Sequence, residues 1–203
     1  MDNNSLPEIE KLLEKLKNSS IPSDLLEKAT QQIERARMGL KYGGFQSQID
    51  ITSKYIDWIA NLPWDKKTVD NLDLNKVKAI LDQNHYGMEQ IKKRVLEYLS
   101  IIAIQKKNLG TETIRAPSLL LIGLVGTGKT TFAKSIAESL GRKFARIPFG
   151  GLSSVLDLRG QSKTASESDP GAIIKAIRRV GSRNPVILLD EIDRIDPASK
   201  SAI

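Results

Sequence analysis

The pattern that most constrains this 203-residue chain is a glycine-rich loop placed directly after an apolar run. Residues 118–122 read S-L-L-L-I, and residues 123–131 read G-L-V-G-T-G-K-T-T. Glycines let backbone N–H groups turn inward around a phosphate, and a helix that starts after such a loop directs its positive end at the same anion. The pattern therefore predicts a phosphate-binding loop between a strand and a helix.

The loop side chains fit a nucleoside triphosphate with bound magnesium. We expect Lys129 to bring a fixed positive charge to the β- and γ-phosphates and Thr130 to ligate Mg²⁺ through its hydroxyl. The other loop residues predicted to contact the nucleotide are Gly123, Val125, Gly126, Thr127, Gly128 and Thr131.

A second apolar run, V-I-L-L at residues 186–189, ends in Asp190 and Glu191. The run is typical of a strand buried on both faces. At its carboxyl end Asp190 can reach the Mg²⁺ shell, and Glu191 can polarise the attacking water as a general base. Two such acids can also form an ordinary solvated turn, but the upstream phosphate loop favours the catalytic interpretation.

Composition narrows the remaining classes. The chain has no cysteine, which excludes disulfides and fits a reducing cytoplasm, and its single histidine, His85, excludes a histidine-rich metal site. Its polar N-terminus and short apolar runs predict neither a secretory signal nor a membrane span. The net charge of +7 comes from interspersed residues without a basic block, so solvated faces are favoured over nucleic-acid binding.

The periodicity predicts three regions: an N-terminal helical segment at 1–64, a helical linker at 65–116, and a nucleotide-binding α/β module at 117–203. Ser23 and Asp73 are candidate helix caps. Strands are expected at 118–122, 144–148 and 186–190, alternating with helices, which indicates a parallel sheet covered on both faces in an α/β/α arrangement.

Several further motifs together resemble one family, the Lon proteases, over about residues 45–196. They are P-W at 63–64, H-Y-G-M at 85–88, I-K-K-R-V-L-E-Y-L at 91–99, G-R-K-F at 141–144, G-G at 150–151, R-G at 159–160, D-P-G at 169–171 and N-P at 184–185. The resemblance implies an AAA+ motor that uses ATP and Mg²⁺, forms a homo-oligomeric ring, usually a hexamer, and pulls protein substrates toward a Ser-Lys peptidase. It also implies that His85, Tyr86 and Gly87 lie against the adenine.

The chain departs from the family pattern in three places. Leu124 and Val125 stand where the family usually has prolines, which leaves backbone cradling intact. The substrate-gripping loop, residues 161–168, has no large apolar side chain. The sequence stops at Ile203, before a sensor residue, a trans-acting arginine, a helical lid and the peptidase dyad. We therefore expect an incomplete AAA+ module, a fragment of a larger protease that hydrolyses no peptide by itself.

Two other interpretations stay open at this point. The missing aromatic grip leaves room for a different AAA+ machine, either a protein-remodelling chaperone or a DNA-associated motor. Residues 1–116 could instead be an assembly module whose apolar stripes, at 6–16 and 49–59, become buried on association. We favour the simpler expectation that these stripes pack on each other.

Overall fold

The computed structural model describes residues 5–41, 46–109, 118–151, 154–162 and 168–194. Its regular elements in chain order are α1 (Ser5–Lys17), α2 (Ser23–Lys41), α3 (Gln46–Ala60), α4 (Leu74–Asn84), α5 (Glu89–Leu109), α6 (Lys129–Ser139), β1 (Phe144–Pro148), α7 (Val155–Arg159), α8 (Ala172–Val180) and β2 (Val186–Asp190). Two short 3₁₀ helices, Phe149–Gly151 and Ile192–Arg194, follow the strands.

The chain divides into two compact units. The first unit contains Met1–Lys67, Ile147–Arg183 and Glu191–Ile203, and the second contains Thr68–Arg146 and Asn184–Asp190. Residues 42–45, 110–117 and 163–167 lie outside the described residues, so the end of the predicted helical linker at 65–116 and the middle of the loop at 161–168 are not described. The three-region division at 64 and 116 remains a prediction.

In the first unit, helices α1, α2 and α3 pack through their apolar faces. The buried residues of this core are Ile9, Leu12, Leu16, Ile21, Ala29, Ile33, Ile56 and Ile59. The stripes of α1 and α3 thus pack within one core, as the simpler expectation held. The expected cap at Ser23 is wrong, since the residue lies inside the first turn of α2 and the carbonyl of Pro22 accepts the amides of Leu25 and Leu26.

Helix α3 also contacts α8 within the first unit. The Arg178 guanidinium donates to Asp57 at 2.8 Å and lies 4.2 Å from the ring centroid of Trp58. Asp169, just before α8, accepts from Lys175 at 2.9 Å and pairs with Lys54 of α3 at 3.7 Å. Charge pairs therefore join the N-terminal helices to the segment that precedes β2.

In the second unit, helices α4, α5 and α6 share a core. Asp73 caps α4 as predicted, its carboxylate accepting the amides of Asn75 and Lys76. The buried core residues are Val77, Leu81, Val95, Leu99, Phe132, Ile136 and Leu140, with Val186 of β2 packed against them. This core supports the first turn of α6, where the phosphate loop ends.

Strands β1 and β2 form a two-stranded parallel sheet at the predicted positions. The strand expected at 118–122 is wrong, because these residues have no regular structure and Leu120 and Ile122 are 76% and 87% exposed. A strand exists through its hydrogen-bonded ladder, and β1 and β2 pair only with each other among the described residues. The result is an incomplete α/β domain. In the described part of the chain, no helix is both long and apolar enough to cross a membrane.

Candidate nucleotide-binding site

The phosphate loop adopts a conformation that depends on glycine. Gly126 and Gly128 have φ values of 81° and 83°, in the left-handed region that side chains with a Cβ rarely adopt. Gly128 is also the N-cap of α6, and its carbonyl accepts the first helical hydrogen bond, from Phe132 at 2.8 Å. The loop therefore turns directly into a helix whose first amides have no helical acceptor, which is the arrangement that binds phosphate.

Lys129 lies across this loop. Its Nζ donates to the carbonyl oxygens of Gly123 at 2.8 Å and Leu124 at 2.7 Å. The Thr127 hydroxyl donates to the same Leu124 carbonyl at 2.8 Å. An ammonium group has three N–H donors. Lys129 uses two of them on loop carbonyls, which keeps its positive charge at the loop.

Thr130 and Asp190 come together although 60 residues separate them. The Thr130 hydroxyl donates to Asp190 Oδ2 at 3.2 Å. The Asp190 side chain is only 13% exposed, and the same Oδ2 accepts from Arg146 Nε at 2.7 Å. A hydroxyl and a carboxylate at this spacing are the oxygen donors that Mg²⁺ prefers.

Glu191, the predicted general base, follows Asp190 directly in the chain but belongs to the first unit. Its φ of 60° is left-handed, which for a non-glycine residue costs on the order of 1–2 kcal/mol. Its carboxylate pairs with Arg194 at 3.4 Å. Such backbone strain concentrates at functional sites, which is consistent with the catalytic prediction.

The segment His85–Tyr86–Gly87 lies at the end of α4. The His85 ring is buried, 2.9 Å from the Ser135 hydroxyl and 4.9 Å from the Phe132 ring centroid. Tyr86 is fully exposed. The next residue, Met88, has a left-handed φ of 57°, and its Cε lies 4.0 Å from the point that a Cβ on Gly128 would occupy. Met88 therefore links this segment to the phosphate loop.

Two residues of this neighbourhood, Ser135 and Arg146, were not predicted from the sequence, and Met88 was noted only as part of the H-Y-G-M motif at 85–88. The signal for Arg146 was available, since it is a charged residue in the middle of a strand whose neighbours, Ala145 and Ile147, are apolar and buried. Ser135 carried no such signal, because a serine inside a helix resembles many solvated serines.

These contacts fit a triphosphate with Mg²⁺. The fit rests on the left-handed glycines, the open first turn of α6 and the oxygen pair of Thr130 and Asp190. The side chains of Leu124 and Val125 are 82% and 93% exposed, so this part of the loop is open to solvent.

Comparison with known proteins gives consistent matches. The family model for the ATPase family associated with various cellular activities (AAA) matches residues 119–202. The Lon protease of Endomicrobium trichonymphae is 42% identical over 198 residues, which is 95% of this chain and 24% of that protein. The Lon protease of Syntrophomonas wolfei is 41% identical over 95% of this chain, and Lon protease 2 of Thermus thermophilus is 40% identical over the same share. The chain belongs to the Lon protease family.

The chain spans about a quarter of the length of the Lon relatives that it matches. Within that quarter, the AAA match starts at the apolar run before the phosphate loop and contains both nucleotide motifs. A protein-remodelling chaperone or a DNA-associated motor is not favoured, because the Lon similarity also covers the helices that precede the AAA match.

Proposed function

We propose that this chain binds ATP with Mg²⁺ and forms the motor portion of an ATP-dependent serine protease that unfolds and degrades proteins. The observation that supports the proposal is the hydrogen bond between Thr130, in the first turn of the phosphate-loop helix, and Asp190, because these are the two residues expected to bind magnesium. Lon relatives covering 95% of the chain support the assignment to a protease.

Each site residue has a proposed role. Lys129 would neutralise the phosphates, while the loop residues Gly123, Val125, Gly126, Thr127, Gly128 and Thr131 would surround them with backbone donors. Thr130 and Asp190 would hold Mg²⁺, which supplies charge stabilisation when bound. Glu191 would orient the attacking water and accept its proton.

The segment from His85 to Gly87 is proposed to contact the adenine. Two observations support this: Met88 packs at Gly128, and Tyr86 is exposed. The buried His85 ring would contribute by fixing the position of the segment, since its Nε2 already lies against Ser135.

The properties of the whole protein are also proposals. We infer a homo-oligomeric ring, with a hexamer as the expected form, protein substrates and a cytoplasmic location. The similarity to Lon proteases supports these assignments.

Nucleotide binding is tested by equilibrium titration of a fluorescent ATP analogue with saturating Mg²⁺. Lys129→Ala should abolish binding, whereas Lys134→Ala, which removes the same charge from an exposed site on α6, should retain it. Equal binding by both variants would overturn the phosphate assignment. In the full-length protease, Glu191→Gln should bind ATP and stop turnover, and turnover at the parent rate would refute the role of Glu191.

A further inference from the structure

Arg146 lies where a cation is expected. Its Nε donates to Asp190 Oδ2 at 2.7 Å, and this is the same oxygen that accepts the Thr130 hydroxyl at 3.2 Å. The Arg146 side chain is about half exposed, whereas that of Asp190 is largely buried. A half-exposed guanidinium thus pairs with a carboxylate that has little contact with water.

A largely buried carboxylate needs a positive partner, because removing a charge from water without compensation is costly. In the described structure Arg146 supplies that charge. A divalent cation bound by both Thr130 and Asp190 would lie against the same Oδ2, because this is the carboxylate oxygen that contacts the Thr130 hydroxyl. The Arg146 guanidinium and a divalent cation would weaken each other's binding to this one oxygen, since like charges at such a distance repel.

We propose that Arg146 is a positioning residue that holds Asp190 in the metal-free site and competes with the divalent cation for its carboxylate. This inference rests on the proposed nucleotide function. Arg146 keeps the Asp190 carboxylate at Thr130 when no cation is bound, and it raises the Mg²⁺ concentration that the nucleotide site requires. Its position on β1 suits both tasks, because Ala145 and Ile147 anchor the strand in the core on either side of it.

The test measures nucleotide affinity as a function of Mg²⁺ concentration in the parent and in Arg146→Gln. Without its competitor, the cation should bind more tightly, and the Mg²⁺ concentration for half-maximal binding should fall about tenfold, the size of a charge-assisted hydrogen bond. Arg146→Lys keeps the positive charge but loses the planar guanidinium that matches a carboxylate. It should therefore shift the midpoint less than Arg146→Gln does. Arg94→Gln, the same change at an exposed position on α5, should leave it unchanged.

A second readout is the melting temperature. In EDTA, Arg146→Gln should melt at a lower temperature than Arg94→Gln, because Asp190 then loses its hydrogen bond to the guanidinium, and Mg²⁺ with ATP should narrow the gap. If Arg146→Gln folds poorly, Arg146→Lys carries the midpoint measurement alone. If the parent binds ATP and the Mg²⁺ midpoint of Arg146→Gln is unchanged or higher, this inference alone is overturned. A parent that binds no ATP at saturating Mg²⁺ would overturn the proposed function, and the inference with it.

Discussion

His85 Nε2 lies 2.9 Å from the hydroxyl oxygen of Ser135, which also accepts the side-chain amide of Asn84 at 3.1 Å. All three groups are satisfied if Ser135 accepts from Asn84 and donates its own hydrogen to His85. The hydrogen bond joins the C-terminal end of α4 to α6. It fixes the start of the segment that runs through Tyr86 to Met88, next to the phosphate loop.

We predict that Ser135→Ala weakens ATP binding about 3- to 10-fold, the range of one neutral hydrogen bond, and leaves inorganic triphosphate binding unchanged. The reason is that a loosely held 85–88 segment loses its contact with the base, whereas the phosphate loop keeps its own geometry. Competition against a fluorescent ATP analogue measures both affinities.

The matched control for this prediction is Ser100→Ala. Ser100 donates to the Leu96 carbonyl within α5, away from the loop, so its loss should change neither affinity. If Ser135→Ala weakened ATP and inorganic triphosphate equally, the segment would act on the loop and not on the adenine.

Sequence reasoning succeeded where local signals and burial agree. The Asp73 cap, α6 directly after Gly128 and both observed strands lie where the sequence pattern predicted them. It failed at 118–122, where the apolar pattern is strong but no described strand pairs with it. A strand depends on its partner, and a local pattern does not contain that information.

The site was predictable in its parts and not in its contacts. The motifs identified Thr130 and Asp190, and the structure adds that they touch. They did not identify Arg146 as the third group on the same carboxylate, because a contact across 44 residues depends on which strands pair. The contact of His85 with the adenine stays a prediction. In the structure the Nε2 atom of this ring lies against the Ser135 hydroxyl.

Acid sensitivity should centre on Asp70, whose side chain is only 7% exposed. Arg142 donates to it twice, at 2.7 and 2.9 Å, and Lys106 lies 3.6 Å away. Burial alone raises the pKa of Asp70, but the hydrogen bonds and charges of these two partners outweigh burial and hold the pKa below its ordinary value. The pair therefore stabilises the fold fully above the unfolded-state pKa of about 4 and loses that contribution as pH falls through the lower folded-state pKa.

We predict that Asp70→Asn lowers the free energy of unfolding by about 3 kcal/mol at pH 7, because it leaves the Arg142 guanidinium without its charge partner. The difference from the parent should shrink toward pH 3, because protons then bind Asp70 more readily in the unfolded parent than in the folded one. Urea unfolding at both pH values measures this. Arg94→Gln, which breaks an exposed pair with Glu97, should cost no more than about 1 kcal/mol at either pH. A pH-independent loss in Asp70→Asn would contradict the assigned charge pairing.

Two glycine-to-alanine changes should have opposite effects on stability. At Gly128 the φ of 83° makes alanine strained by about 1–2 kcal/mol, and the new Cβ would lie 3.3 Å from Thr131 Oγ1. Gly39 lies in α2 with open space around its Cα and no positive φ, so alanine there should stabilise the fold by about 0.5–1 kcal/mol.

The same pair separates loop geometry from general stability in nucleotide binding. Gly128→Ala should weaken ATP binding at least about tenfold, because it disturbs the residue that turns the loop into α6 and orients the first amides of the helix. Gly39→Ala should bind ATP as the parent does. Adding Gly39→Ala to Gly128→Ala should recover part of the melting temperature without recovering affinity, since the two sites are far apart in sequence and share no described contact. Recovery of affinity in the double variant would mean that Gly128 acts through fold stability, and the loop conformation would then not be what binds the phosphates.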